Sequence, residues 1–271
     1  MPEQGPAGDD YEYRGLVAQS WDLLRGDYSA WPDRPFYRAL IEQQGGPALD
    51  VGCGTGRLML DYLAAGLDID GVDNSPDMLA LCRAKAAEMG IEVEHRLSQQ
   101  QMETLSLSRR YATIFVPSSS FQLVTDIAAA DQAMARFYQH LAPDGLLVMS
   151  IMSKLWRGER TPPQMQWSDW RRLAERQRAQ DGATVRRWIR TRYDHDSQLE
   201  HEENRYEILR DEVIIQSEHH QRSPNVRWYS QAQAIACYER AGFTAVKATS
   251  GFTFEPASPE DTTFCVIGIR P

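Results

Sequence analysis

The sequence predicts an α/β fold: a doubly wound, mostly parallel sheet of seven strands, with an antiparallel β insertion before the last helix and strands. Three observations predict it. Short apolar runs alternate with helix-period segments from Pro47 to Met152 and again from Trp228 onward. A glycine-rich turn, Gly52-Cys53-Gly54-Thr55-Gly56, follows the first run, and an acid, Asp73, follows the second. Between the two alternating stretches, Thr184 to Gln221 reads as polar strands joined by tight turns. Strands alternating with helices imply right-handed βαβ units and a parallel sheet covered on both faces.

The elements follow in order. Met1 to Asp10, Gly- and Pro-rich and acidic, reads as a flexible arm. Tyr11 to Gln44 is aromatic-rich, and Phe36, Tyr37, Leu40 and Ile41 recur at helical spacing up to a stop at Gly45-Gly46. Pro47 to Val51 is a strand, and Leu58 to Leu63 a helix ended by Gly66. Asp68 to Val72 is a strand; Ser75 and Pro76 then suit the cap and first position of a helix. Ile91 to Leu97 and Tyr111 to Val116 are the third and fourth strands, and Ile127 to Leu141 is helical. Pro143-Asp144-Gly145 is a turn into a strand over Leu146 to Met152. After the insertion come a helix over Gln231 to Ala241 and strands over Phe243 to Thr249 and Thr262 to Ile269. The expected organisation is an N-terminal arm and helical lid over 1–44, a core over 45–153 and 228–271, and an inserted antiparallel element over 154–227.

Composition narrows the function classes. A chain of 271 residues with 42% apolar and 25% charged residues has ordinary globular usage. A net charge of −9 argues against nucleic acid as a partner, since duplex binders carry a basic footprint. The insertion departs from the rest: Lys154 to Arg227 carries a net +2, nearly all its cations being arginine. No signal-like apolar segment opens the sequence and no run approaches a membrane span, so the expectation is a cytoplasmic protein with no membrane partner. Cys53, Cys82, Cys237 and Cys265 form no CxxC pair and read as reduced thiols. His219-His220 in a polar stretch reads as solvent-facing, and no metal is expected.

The glycine turn carries the chemistry. Glycines let the backbone turn tightly and approach a ligand, and the helix N-terminus beyond favours polar or anionic groups. Asp73 lies across the same crevice, placed to accept hydrogen bonds from ribose hydroxyls. A dinucleotide site would use G-x-G-x-x-G; here the spacing is G-x-G-x-G with Asp50 before it. An acid and backbone carbonyls beside the loop suit an ammonium and a sulfonium, which favours S-adenosyl-L-methionine over a nicotinamide.

Ala48 to Leu58 (ALDVGCGTGRL) resembles motif I of class I S-adenosylmethionine-dependent methyltransferases, and Gly71 to Leu79 (GVDNSPDML) resembles their second motif. Leu141 to Leu147 resembles the turn into their fifth strand, and Tyr238 to Phe243 their late AGF signature. The resemblance covers Trp21 to Met152 and Trp228 to Arg270, and implies a Rossmann-like sheet binding S-adenosyl-L-methionine. It implies that Gly52, Cys53 and Gly54 line the methionine end, with Asp50 anchoring the loop. It also implies that Asp73 binds the ribose, that Asn74 and Met78 run along the adenosine, and that Pro117 borders cofactor and substrate. Gln101 and Met102 stand where the family often has an acid, a departure that a glutamine carbonyl can accommodate.

Ser119, Phe121 and Gln122 are pocket candidates after the fourth strand, which lacks the Asn-Pro-Pro-Tyr pattern of DNA-adenine enzymes. Trp21, Phe36 and Tyr37 read as core; Tyr11, Tyr28 and Trp31 read as a lid, since aromatic faces stabilise cations. Arg186, Arg187, Arg190 and Arg192 read as a solvated strand face or as a site for an anionic substrate group. His140 reads as structural, and no general base is identified. The expected function is methyl transfer to a nitrogen or oxygen of a small-molecule acceptor, with a homodimer left open. The alternatives are a non-catalytic binding module and a nucleotide-dependent oxidoreductase.

Overall fold

In the computed structural model, residues 13–154 and 161–271 are described. The expected arm and Tyr11 lie outside them. Two helices, α1 (Gly15–Arg25) and α2 (Asp33–Gln44), precede the alternating core. The core runs β1 (Ala48–Val51), α3 (Met59–Ala64), β2 (Ile69–Asp73), α4 (Pro76–Glu88), β3 (Leu97–Gln99) and β4 (Tyr111–Val116). A single 3-10 turn over Ser120–Leu123 leads to α5 (Ile127–His140) and β5 (Leu141–Met152). Four further strands follow: β6 (Arg171–Gln177), β7 (Thr184–Asp194), β8 (Leu199–Arg210) and β9 (Val213–Arg227). The chain closes with α6 (Gln231–Arg240), β10 (Thr244–Ser250) and β11 (Thr263–Ile269).

The seven core strands lie in the order β10-β11-β5-β4-β1-β2-β3, with β11 antiparallel to both neighbours. The central strands β1, β4, β5 and β11 are buried on both faces, as their apolar runs require. On one face Leu49, Ile114, Val116, Met149 and Val266 pack with Met134 and Phe137 of α5 and Tyr238 of α6. On the other Ala48, Ile69, Phe115 and Val148 pack with Tyr37 of α2, Met59 of α3 and Leu79 of α4. Strand order reverses between β1 and β4, and such a switch point opens a crevice beyond the carboxyl ends of the strands. The helices are stopped and started locally. Ser75 Oγ accepts the Met78 N–H at the start of α4, and Ser230 with Gln233 forms a capping box on α6.

The second sheet, β6-β7-β8-β9, is antiparallel throughout. Helix α1 ties it to the core: Leu16 and Val17 are buried against Val185, Tyr206 and Ile208. The Leu16 N–H donates to Glu218 of β9 (2.8 Å), while the Gly15 N–H donates to Asp77 of α4 (2.8 Å).

Three sequence expectations shift. The third strand is not Ile91 to Leu97 but Leu97–Gln99, because the Arg96 N–H turns back onto the Val93 carbonyl before pairing with β2 begins. Pro143 to Gly145 forms a bulge inside β5 rather than a turn before it, with Asp144 at φ 59°. Strand β6, RRLAERQ, was not expected; it lacks an apolar alternation and is held largely by pairing with β7.

Candidate functional site

A crevice of about 270 Å³ opens at the switch point. The residues expected there from sequence, Asp50, Gly52, Cys53, Gly54, Asp73, Asn74, Met78, Gln101, Met102 and Pro117, all line it. The glycine turn is shaped by its own packing. Gly52 sits at φ +78°, and a Cβ on it would stand 2.8 Å from Ser120 Oγ, so only glycine fits between the turn and the segment after β4. Gly54 has open space on the corresponding side.

Asp73, at the carboxyl end of β2, accepts the Gly54 N–H on Oδ2 (2.9 Å) and the Ser75 N–H on Oδ1 (2.9 Å). These bonds orient both oxygens and leave lone pairs for a second donor on each. Burial raises its pKa, with the Ser75 and Gly54 N–H groups opposing the rise. Asp50 is 1% exposed, and its Oδ1 has no hydrogen-bond partner. Burial pushes its pKa up to about 8, against the pull of the Arg57 guanidinium. Arg57 itself is held by Asp33, with one bond of 3.0 Å and a second, shorter one.

Sequence reasoning missed the lining that comes from α1 and the residues just before it. Tyr13, Trp21 and Arg25 all face the crevice. The Arg25 guanidinium lies 3.9 Å from the centre of the Trp21 ring, and Tyr13 meets the same ring edge-on at 4.7 Å. Burial lowers the Arg25 pKa. Among the described residues its guanidinium makes no hydrogen bond and no ion pair. Trp21 is therefore a site residue and not only a core one; its spacing of four from Arg25 on one helix was the available signal. Tyr28 and Trp31 stand one layer back, with Arg57 at 5.7 and 5.0 Å from their rings.

Other expectations are corrected. Ser118 and Ser120 line the crevice, not Ser119, Phe121 or Gln122. Phe121 is buried against Tyr229, and the Gln122 amide binds both Met152 backbone groups and the Arg227 carbonyl, so both are structural. The arginines of β7 are neither a solvated face nor an open anion site. Arg186 pairs with Glu175 (2.5 Å) and Arg190 with Glu203 (2.7 Å). Arg187 donates to Asn204 (2.9 Å), and Arg192 stacks 4.8 Å from Trp167. His140 is structural as expected: its Nε2 accepts the Leu107 N–H at 2.9 Å. The second sheet does reach the crevice, through Arg222 of β9, which lines it and donates to the Leu123 carbonyl (3.0 Å).

The residues present fit S-adenosyl-L-methionine. Asp73 offers two oriented acceptors for a diol. Asp50 carries an unpartnered acceptor beside the loop, and Arg25 carries open donors facing the same space. Among the described residues no helix is long and apolar enough to cross a membrane.

Comparison with known proteins bears on this arrangement. Residues 48–145 match the family described as Methyltransferase domain. A dTDP-3-amino-3,6-dideoxy-alpha-D-glucopyranose N,N-dimethyltransferase from Streptomyces fradiae is 31% identical over 53% of this chain and 56% of its own length. The chain spans about half the length of the first curated relatives it matches. Among solved structures, an S-adenosylmethionine-dependent methyltransferase from Clostridium acetobutylicum superposes with a TM-score of 0.71 at 16% identity, covering 94% of this chain and 97% of that one. A sugar N-methyltransferase from a Streptoalloteichus species gives 0.68 at 19% identity, covering 100% and 98%. These two likenesses concern the fold. The methyltransferase-domain match over residues 48–145 lies on that fold.

Proposed function

We propose that this protein transfers a methyl group from S-adenosyl-L-methionine to a nitrogen or oxygen of a small-molecule acceptor. The observation that carries the reading is the crevice itself, where Asp73, Asp50 and Arg25 supply complements to a diol, an ammonium and a carboxylate. The bound cofactor supplies an activated methyl group on a sulfonium. The chain's own task is then alignment and exclusion of water. Asp73 accepts from the ribose hydroxyls, Asn74 and Met78 flank the adenosine, and Gln101 with Met102 borders the base. Asp50 receives the ammonium and Arg25 the carboxylate, while Gly52, Cys53 and Gly54 bring the backbone close. Pro117 and Ser118 bound the side from which an acceptor approaches.

The β6–β9 sheet with α1 covers this side, which supports a substrate element over residues 154–227. The N,N-dimethyltransferase relative supports a nitrogen acceptor. Four buried free cysteines support a reducing, cytoplasmic setting. A homodimer would form on the edge strand β9, where Val213, Ile214 and Ile215 are 64%, 51% and 52% exposed in succession. Sedimentation of the wild type and Ile214→Lys tests that surface, with a change in mass expected. Release of S-adenosylhomocysteine with a panel of amines and phenols tests the activity; binding without turnover on any acceptor would favour a non-catalytic module.

A further inference from the structure

In the proposed reading the crevice acids Asp50 and Asp73 are engaged by the cofactor's ammonium and ribose. A protonated amine has no lone pair with which to attack, so amine methylation needs a group that takes its proton. The inner face of the second sheet holds one. On β9, His220 Nε2 lies 3.0 Å from Glu218 Oε2. The same Glu218 oxygen accepts the Leu16 N–H at 2.8 Å. That backbone donor fixes the carboxylate, and the carboxylate in turn fixes the ring as its Nε2–H tautomer, leaving a lone pair on Nδ1. His220 keeps 16% side-chain exposure, so the ring is shielded but reachable.

The pair neighbours crevice residues in sequence and along β9. Tyr13, two residues before α1, and Arg222, on the same strand face two residues beyond His220, both line the crevice. Across the sheet Tyr206 of β8 meets the His220 ring edge-on at 5.9 Å, and Arg187 of β7 lies 5.5 Å from the Tyr206 ring. The charged or titratable groups around His220 are thus Glu218 and Arg222 on β9, Glu202 and Tyr206 on β8, Arg187 on β7, and Asp77 of α4 across Gly15.

We infer that His220, oriented by Glu218, is the base that accepts the proton of a small-molecule amine, which makes nitrogen the methylated atom. This rests on the proposed methyl transfer. The acceptor ammonium passes one N–H proton to Nδ1 and keeps the bonding pair as its lone pair. That pair forms the new N–C bond as the donor's S–C bond breaks and returns its pair to sulfur. The imidazolium stands beside the Glu218 carboxylate until it loses the proton to water.

The test has three parts. Imidazole ¹⁵N spectra of the wild type read the tautomer: the Nε2–H form is expected, and the Nδ1–H form would overturn the inference. In the S-adenosylhomocysteine complex, glucosamine, ethanolamine and glycine are added as probes. A shift of the His220 Nδ1 resonance with one of them is expected; no shift with any would overturn it. His220→Asn, with Glu218→Gln as a second variant, should bind S-adenosylhomocysteine within about threefold of wild type. It should lower kcat/KM for the best amine by about 10²–10⁴-fold, with partial rescue by added imidazole. Transfer at wild-type rate in both variants, or transfer to phenols alone, would overturn the assignment of His220 while leaving methyl transfer intact. Absence of S-adenosyl-L-methionine binding by the wild type would overturn both.

Discussion

Asp50 gives the sharpest consequence of the site's electrostatics. With its pKa near 8, the carboxyl is about nine-tenths protonated at pH 7 in the empty protein. A ligand ammonium placed at its unpartnered Oδ1 favours the charged form and drives that proton off. Binding of S-adenosyl-L-methionine at pH 7 should therefore release close to one proton. Calorimetry in buffers of different ionisation enthalpy reads this as a linear dependence of the observed heat on the buffer. In Asp50→Asn the dependence should vanish. Affinity should fall by about 1.5–3 kcal/mol, the usual worth of a hydrogen bond to a charged group, or roughly 10- to 150-fold. The sign for stability is opposite to the usual carboxylate. A raised folded pKa means that the empty protein is most stable below the unfolded value. It loses stability as pH rises from about 4 toward about 8. The variant should show a flatter profile across that window. A binding heat independent of buffer in the wild type would refute the reasoning, because it would mean that Asp50 does not change protonation on binding.

Other perturbations test separate parts of the site. Arg25→Met should weaken S-adenosyl-L-methionine binding by about 1.5–3 kcal/mol in calorimetry, through loss of charge-assisted bonds to the carboxylate. Its melting temperature should fall only slightly, because among the described residues the Arg25 guanidinium makes no hydrogen bond or ion pair and only ring contacts with Trp21 and Trp31. Gly52→Ala forces a Cβ against Ser120 and an L residue into positive φ, so it should lose about 1–3 kcal/mol in urea unfolding and most cofactor affinity. Gln122→Ala removes three hydrogen bonds that tie the turn after β4 to β5 and β9, and should cost about 2–4 kcal/mol of stability. A melting temperature unchanged in Gln122→Ala would contradict its structural assignment.

Local signals were readable where local physics decides the outcome. The run ALDVGCGTG carries its own strand, turn and helix start, and Asp73 follows from the second strand by spacing alone. Ser75-Pro76 announces α4 by capping chemistry. What failed were statements that depend on long-range packing. Trp21 has the composition of a core residue; only the docking of α1 across Asp77 and Glu218 turns it toward the crevice with Arg25. The β7 arginines look solvated in sequence, but their partners, Glu175, Glu203 and Asn204, sit on neighbouring strands and come beside them only through the sheet's register. Strand β6 had no period to detect, since its residues face solvent on much of both sides. Phe121 and Gln122 differ from Ser120 in which way one 3-10 turn points them.

Asp73 is the residue through which this crevice would hold S-adenosyl-L-methionine. Titration calorimetry of the wild type and of Asp73→Ala tests it most directly. Saturable one-to-one binding is expected, weakened at least about 100-fold in the variant through loss of two hydrogen bonds to a charged acceptor. No binding by the wild type, or equal affinity in Asp73→Ala, would contradict it.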